Sequence, residues 1–258
     1  MTRIDRHPTH TISWTDLAAS DIEGATSFYG DLMGWSVFEV EGSPYRMFMS
    51  GDQPVAGAMQ ITPEMAGMPP VWTVYVAVDD ADATAAAVTG AGGMVAQPPF
   101  VINADGQRIA IVLDPANAAL GIFEGSADNG IRVLDEPGAP CWFDCRTRNA
   151  DASEAFYRSL FGWSFTAMDG PMDYRVAELG GQPIAGLMAM GDEVPAAVPS
   201  HWGVSFSVPD ADAAAELTAS RGGSVTMPPM DTPFGRSVSL VDPWGAAFMV
   251  IDRSSATT

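Results

Sequence analysis

The sequence predicts an α+β fold built from four βαβββ modules, arranged as two tandem copies of one unit. The segment Phe28–Trp35 recurs as Phe156–Trp163, an offset of 128 residues. Self-similarity at a constant offset is the signature of an internal duplication. Further pairs of segments keep the offset within one residue: Trp14-Thr15-Asp16 with Trp142-Phe143-Asp144, Gln53–Gly57 with Gln182–Gly186, and Asp114-Pro115 with Asp242-Pro243.

Each copy begins with a short alternating strand followed by an amphipathic helix. The strands are expected over Thr11–Leu17 and Pro140–Arg146. In the first copy, apolar residues then recur at three- and four-residue spacing, which is the period of a helix with one buried face. Side chains that favour the N-cap precede these helices, and a glycine stands where each needs a left-handed end. The caps are Ser20 or Asp21 and Asn149 or Asp151, and the glycines are Gly34 and Gly162.

The same pattern restarts in the second half of each copy. Strands are expected over Val71–Val78 and Trp202–Val208, and helices after Asp80 and Asp210. We therefore expect an N-terminal domain over residues 1–125, a linker over 126–139 and a C-terminal domain over 140–258. Each domain contains two βαβββ modules.

The charge balance excludes several classes of partner. The chain has 12 Arg, no Lys and 32 acidic residues, a formal net charge of −20. Such a surface repels phosphate backbones and anionic lipids, so neither nucleic acid nor a membrane is expected as a partner. The sequence has neither a long apolar segment nor an apolar leader, which predicts a cytoplasmic protein, as monomer or homodimer.

Two cysteines, Cys141 and Cys145, lie within the strand that opens the second copy. Residues four apart in a strand are separated by roughly 13 Å at about 3.3 Å per residue. A disulfide requires Cα atoms within about 7 Å. Both thiols are therefore expected to be free and buried.

The motifs together resemble the glyoxalase/bleomycin-resistance/extradiol dioxygenase (vicinal oxygen chelate) superfamily. They are the Phe-Tyr…Gly-Trp helix after a short strand, the Val-Asp-Asp or Val-Pro-Asp after a second strand, and Asp-Pro-x-Gly or its variant. More closely, Trp-x-Asp-Leu and Met-Pro-Pro-x-Trp resemble two-domain actinobacterial proteins of the glyoxalase-like antigen or hydroxylase type. The resemblance covers residues 10–252 and implies curved, cup-like mixed sheets.

In catalytic members of that superfamily, His and Glu side chains hold a divalent metal inside the cup. The resemblance places those ligand positions at Trp14, Thr73 and Gly121 in the first copy. In the second copy they fall at Trp142, Gly203 and Met249, and the first modules' last strands offer Gly57-Ala58 and Gly186-Leu187. A metal site wants about three His or carboxylate ligands. We therefore expect no metal site and no other cofactor.

The remaining His and Glu residues do not change that expectation. His7 and His10 are expected in a flexible N-terminal tail, and His201 in a loop or at a sheet edge. Strand alternation points Glu124 away from the cup.

Strand alternation instead predicts an aromatic and thioether-lined cup with one inward carboxylate per domain. If Trp14 faces inward, Asp16 does so too, and the same holds for Trp142 and Asp144. The alternatives are that each Trp fills its own cup, or that each Asp pairs with one of Arg46, Arg108, Arg175 and Arg236. The expected lining is Trp14, Asp16, Met59, Thr73, Tyr75 and Phe123 in the first domain, and Trp142, Asp144, Met188, Ser205 and Met249 in the second.

Such walls favour a small hydrophobic or flat aromatic ligand, and an inward carboxylate favours a cationic group on it. The leading hypothesis is a metal-independent binding protein for drug sequestration (antibiotic resistance) or natural-product biosynthesis. The first alternative is a metal-free tailoring enzyme, such as an isomerase, cyclase, lyase or hydroxylase-associated protein, with Asp16 or Asp144 as general base. A metal-dependent glyoxalase is disfavoured, and an interaction protein with both cups filled is the last alternative.

Overall fold

The computed structural model describes residues 2–40, 42–170 and 172–256. Four helices and two large sheets account for most of this part of the chain. The helices are α1 (Ile22–Met33), α2 (Ala81–Gly90), α3 (Ala150–Phe161) and α4 (Ala211–Ser220). The strands of the first half are β1 (Thr2–Arg3), β2 (Ile12–Ala19), β3 (Ser36–Glu39), β4 (Arg46–Ser50), β5 (Gln53–Gln60), β6 (Val71–Val78), β7 (Met94–Val101), β8 (Arg108–Leu113) and β9 (Ala119–Glu124). Those that follow are β10 (Val133–Leu134), β11 (Pro140–Thr147), β12 (Ser164–Ala167), β13 (Tyr174–Leu179), β14 (Gln182–Ala189), β15 (His201–Ser207), β16 (Ser224–Thr232), β17 (Gly235–Val241) and β18 (Ala247–Asp252).

Each copy of the repeat forms its own eight-stranded mixed sheet. The strand order is β3-β4-β5-β2-β6-β9-β8-β7 in the first sheet and β12-β13-β14-β11-β15-β18-β17-β16 in the second. Within a module the first and last strands pair in parallel, as β2 does with β5. The two modules of one copy join through the antiparallel pairs β2–β6 and β11–β15. The α+β fold with four βαβββ modules is therefore confirmed, and modules pair within a copy.

The helix ends lie where the cap residues predict. Asp21, Asp80, Asn149 and Asp210 are the N-caps, and each side chain accepts a hydrogen bond from the backbone N–H three residues later. These bonds satisfy donors that a helix leaves free at its start. Helices α1 and α3 end at Gly34 and Gly162, which adopt the left-handed conformation with φ of 73° and 69°.

The two halves pack through the helix-bearing faces of their sheets. Phe206 of β15 contacts Trp72 of β6 and Trp35, with ring centroids 5.2 Å apart in both pairs. Phe28 of α1 contacts Phe248 of β18 at 6.4 Å. Since Trp72 and Phe206 belong to this buried core, alternation places their strand neighbours Thr73, Tyr75 and Ser205 on the opposite face. The two cup faces therefore point away from the interface between the halves.

The connection between the halves and the N-terminal segment are packed against the first sheet. Ser126 and Ile131 are buried, and β10 pairs with β1. His7 is 3% exposed, and its Nε2 lies 2.8 Å from the carbonyl oxygen of Ile131. The ring of His10 contacts Phe161, with centroids 5.6 Å apart. The expectation of a flexible tail was wrong, because a carbonyl 124 residues away in the sequence orders His7.

No helix in the described ranges has the length and hydropathy needed to cross a membrane.

Candidate functional site

A hydrogen-bonded cluster of four side chains occupies the cup face of the first sheet, which we call the first cup. Trp14 Nε1 donates to the hydroxyl of Tyr45 at 2.7 Å. The Tyr45 hydroxyl donates to Asp16 Oδ2 at 3.3 Å, and the Tyr75 hydroxyl donates to Asp16 Oδ1 at 3.2 Å. Both carboxylate oxygens of Asp16 thus have a phenol as partner, and no ligand is needed to satisfy them.

Two glycines make room for the tyrosines of the first cup. A Cβ added at Gly57 would overlap the hydroxyl of Tyr45, and one added at Gly121 would overlap the ring of Tyr75. Phe123 packs against Tyr75, with ring centroids 6.3 Å apart. Trp14, Tyr75 and Phe123 are all buried. The first cup is therefore filled by its own side chains, with the rings of Tyr45 and Tyr75 beside Trp14.

Burial dominates the titration of Asp16. The side chain is 7% exposed, and loss of solvation raises its pKa from 3.8 to about 7, although the hydrogen bonds from Tyr75 and Tyr45 act in the opposite direction. Among the residues that the structure describes, no cationic side chain offsets the burial. A carboxyl in such a site is partly protonated at neutral pH.

The second cup, on the same face of the second sheet, repeats three members of this cluster. Trp142 Nε1 lies 2.7 Å from the Tyr174 hydroxyl and 3.1 Å from Asp144 Oδ1. The Tyr174 hydroxyl donates to Asp144 Oδ1 at 2.7 Å. Gly186 leaves room for this pair, because an added Cβ would overlap both Asp144 and Tyr174. The sequence-predicted pairs Trp14–Asp16 and Trp142–Asp144 are thus each brought together.

The second cup differs from the first in polarity. Ser205 stands where the first half has Tyr75, and Met249 stands where it has Gly121. The register also places Ser237 and Ser239 of β17 at the positions of Ile109 and Ile111 of β8, and Arg146 at the position of Ala18. Serine hydroxyls and a guanidinium replace alkyl groups and a phenol ring.

The second cup is also the more accessible of the two. Every residue of β2 is buried, whereas Trp142, Asp144 and Arg146 on β11 are half-buried. Burial raises the pKa of Asp144, while Tyr174, Arg146 and Trp142 partly offset that effect. Asp144 therefore combines a raised pKa with a residue exposure greater than that of Asp16.

The remaining sequence-predicted lining residues lie on the cup faces, on interior strands of the two sheets. Met59 pairs with Ala18 and is half-buried, and Met188 pairs with Arg146 and is half-buried. Thr73 pairs with Asp16. Ser205 and Met249 are neighbours in the second cup.

The two carboxylates do not pair with the arginines that the sequence offered. Arg46 pairs with Glu23 and Glu39, and Arg108 pairs with Asp82. In the second half, Arg175 pairs with Asp151, Glu154 and Asp173, and Arg236 with Asp212 and Asp231. That alternative was wrong, because each of those arginines already pairs with other acidic residues.

The donor set does not fit the divalent metal that the superfamily resemblance implies. The ring of Tyr75 covers Gly121, where the resemblance places a carboxylate. Glu124, three residues further, accepts a hydrogen bond from Ala81 N at the start of α2 and thus faces the helix. In the described ranges no three His, Cys, Asp or Glu side chains come together as a metal would need.

Tyr45, Tyr174 and Arg146 are site residues that sequence reasoning missed. A signal for the tyrosines exists, since Tyr45-Arg46 recurs as Tyr174-Arg175 at an offset of 129. Arg146 follows Asp144 by two residues, so the alternation that turned Asp144 inward also applies to it.

A surface cavity of about 380 Å³ lies outside the second cup. It is lined by the β3–β4 connection together with Ile22, Tyr45, Arg46 and Gln60. Its one cationic side chain, Arg46, already pairs with Glu23. The cavity therefore does not gather reactive side chains. The side-chain chemistry of the second cup makes that cup the candidate site.

Comparison with known proteins agrees with this architecture. The family model described as Glyoxalase/Bleomycin resistance protein/Dioxygenase superfamily matches residues 11–122 and 141–250. The chain is 36% identical over 250 residues to "Putative glyoxylase CFP32" of Mycobacterium tuberculosis, covering 93% of this chain and 94% of that protein. It is also 36% identical over 257 residues to anthracycline biosynthesis protein DnrV of Streptomyces peucetius, covering 93% and 92%.

Solved structures share the fold at low sequence identity. The Mn(II)-bound glyoxalase of Novosphingobium aromaticivorans superposes with a TM-score of 0.62 at 15% identity, covering 99% of this chain and 86% of that one. The two segments that the family model matches, and the 36% identity to full-length relatives, show that the chain belongs to the glyoxalase/bleomycin resistance protein/dioxygenase superfamily.

Proposed function

We propose that this protein binds a small, flat aromatic molecule in its second cup, without a metal. The observation that carries the proposal is the half-buried cluster of Trp142, Asp144 and Tyr174 in the second cup. The first cup, by comparison, is filled by its own side chains. A partly exposed indole offers a stacking surface to a flat ligand.

Two further observations support this function. The positions at which the superfamily resemblance places metal ligands carry Trp142, Gly203 and Met249, none of which is a strong ligand for a divalent metal. The relatives named anthracycline biosynthesis proteins, at 36% and 35% identity, favour a role in a natural-product pathway and a polycyclic ligand.

A binding titration tests this function. We expect a neutral dihydroxyanthraquinone to bind with one site per chain in isothermal calorimetry. Trp142→Leu should weaken it by about fivefold or more, because aromatic pairs contribute on the order of 1 kcal/mol beyond area burial. The matched control is Trp14→Leu in the filled cup, which should lower the melting temperature and leave the affinity within about twofold, measured well below that temperature. Absence of binding by any flat aromatic probe would reject the proposal.

Turnover is the second candidate function, and the raised pKa of the half-buried Asp144 favours it. A carboxyl whose pKa is raised by burial is a stronger base than an ordinary carboxylate, and it can accept a proton from a bound ligand. Mass spectrometry and chromatography of the probe after incubation distinguish turnover from binding alone. An isomer or mass change that Asp144→Asn abolishes supports an enzyme, and an unchanged probe supports a binding protein.

A further inference from the structure

We propose that the ligand of the second cup carries a carboxylate or another anionic oxygen, which Arg146 and the hydroxyl of Ser239 hold while its ring system stacks on Trp142. The inference rests on the proposed function and adds the charge and the orientation of the ligand. It differs from the cationic ligand that the sequence favoured.

Arg146 is a half-buried cation with unused donors. Its Nη2 lies 2.6 Å from the sulfur of Met249, and among the described residues it forms no ion pair within 4 Å, although its charge lowers the pKa of the nearby Asp144. A guanidinium has five N–H donors, and a thioether is only a weak acceptor. The exposed Arg148, just after the end of the same strand, by contrast donates to four carbonyl groups, those of Gly191, Val194, Pro195 and Val198.

Ser239 supplies a second unsatisfied group on the same face. The residue is 7% exposed, and its Oγ has no hydrogen-bond partner. Ser239 pairs with Met249 across β17 and β18, so it lies next to the residue that Arg146 contacts. A buried hydroxyl without a partner is costly, and a ligand oxygen would satisfy it.

The first half shows what these positions look like without such a ligand. Ala18 and Ile111 stand where the second half has Arg146 and Ser239, and the ring of Tyr75 fills the position of Ser205. The guanidinium of Arg146 and the hydroxyl of Ser239 thus have no polar counterpart at these positions of the first cup, and they belong to the more accessible second cup.

The positions of Asp144 and Arg146 also determine the orientation of the ligand in the second cup. Asp144 and Arg146 are two residues apart on one strand face, which separates their Cα atoms by roughly 6.6 Å. An anionic group meets Arg146, and a hydrogen-bond donor such as a phenolic hydroxyl meets Asp144. A protonated amine near Arg146 would be repelled by the guanidinium.

Three probes that share one ring system test this inference by calorimetry. They are a dihydroxyanthraquinone carboxylate, the neutral dihydroxyanthraquinone and its aminomethyl derivative. We expect the carboxylate to bind about tenfold tighter than the neutral probe, as a charge-assisted hydrogen bond predicts, and the aminomethyl derivative to bind no tighter than the neutral one. In Arg146→Met the carboxylate should lose this advantage, while the neutral probe changes by less than about twofold. Arg146→Lys should restore part of the advantage.

Ser239→Ala separates ligand binding from a structural role. Removing an unpaired buried hydroxyl should leave the melting temperature unchanged or raise it, while the carboxylate probe weakens by several-fold. Equal affinities of all three probes, unaffected by Arg146→Met, would overturn the anionic ligand and leave the aromatic cup standing. If no probe binds at all, the proposed function itself fails.

Discussion

The hydroxyl of Tyr29 donates to Asp242 Oδ2 at 3.1 Å, joining the first helix of one half to the last turn of the other across 213 residues of sequence. The duplication repeats the bond with the halves exchanged, since the Tyr157 hydroxyl donates to Asp114 Oδ2 at 3.2 Å. In both cases the acidic residue of Asp-Pro is buried and also caps backbone N–H groups of its own turn. The bonds therefore tie the two halves together at equivalent points.

These two bonds give a matched pair of stability predictions. Tyr29→Phe removes the one side-chain donor of Asp242 Oδ2 and the acceptor of Trp72 Nε1, so we expect a loss of about 1–3 kcal/mol in the free energy of unfolding. Tyr157→Phe should cost less, because Asp114 Oδ2 keeps the hydroxyl of Ser153 at 2.6 Å. Guanidinium unfolding measures both variants. A larger loss in Tyr157→Phe would contradict the assigned roles.

The pKa of Asp16 predicts a pH dependence of stability. Its folded-state pKa is raised from 3.8 to about 7, so the folded chain holds the proton more tightly than the unfolded chain. The resulting stabilisation is fully present below about pH 4 and is lost as the pH rises towards 7, on the order of 4 kcal/mol in total. Asp16→Asn should flatten this part of the curve and be more stable than the original chain at pH 8.

Asp144→Asn is the comparison for that experiment. Asp144 is half-buried, so its substitution should change the slope between pH 4 and 7 less than Asp16→Asn does. Identical slopes for the original chain and Asp16→Asn would show that the Asp16 carboxyl is not desolvated.

The cysteines are expected to react slowly. Cys141 and Cys145 are free and buried, and burial raises the pKa of Cys141 to about 12, so little thiolate forms at neutral pH. A thiol-reactive dye should label both residues at least about a hundredfold more slowly in the native chain than in guanidinium. Two fast-reacting native thiols would contradict the position of β11 against α3.

Divalent metals should have no effect on the second cup. The expected ligand positions carry Trp142, Gly203 and Met249, which leave the cup without a set of donor side chains for a metal. We expect elemental analysis to find less than about 0.1 divalent metal per chain, and a chelator to leave binding of the neutral probe unchanged. One metal per chain, lost together with probe binding, would refute the metal-independent account.

The fold could be predicted from the sequence because its signals are short local motifs, and because the duplication repeats each of them. Helix caps such as Asp21 and Asn149, the glycine ends at Gly34 and Gly162, and the constant offset each depend on a few neighbouring residues. The inward direction of the strand residues followed from alternation alone, and the contacts of the two tryptophans with the carboxylate clusters agree with it.

The closure of one cup could not be predicted, because it depends on contacts between distant strands. Tyr45 reaches Trp14 from 31 residues away, and the ring of Tyr75 lies over Gly121, which is 46 positions later in the sequence. The same limit applies to His7, whose acceptor lies on the connection between the halves. Two tyrosine rings bury Asp16, and the residues next to Asp16 in the sequence do not reveal this tertiary contact.

The crystal structure of the protein in complex with the neutral dihydroxyanthraquinone tests the central claim most directly. We expect one ligand in the second cup, with its rings stacked on Trp142 and a hydroxyl within hydrogen-bond distance of Asp144. The first cup should keep Tyr45 and Tyr75 bonded to Asp16. A ligand that displaces those tyrosines from the first cup, or one bound elsewhere with the second cup empty, would contradict it.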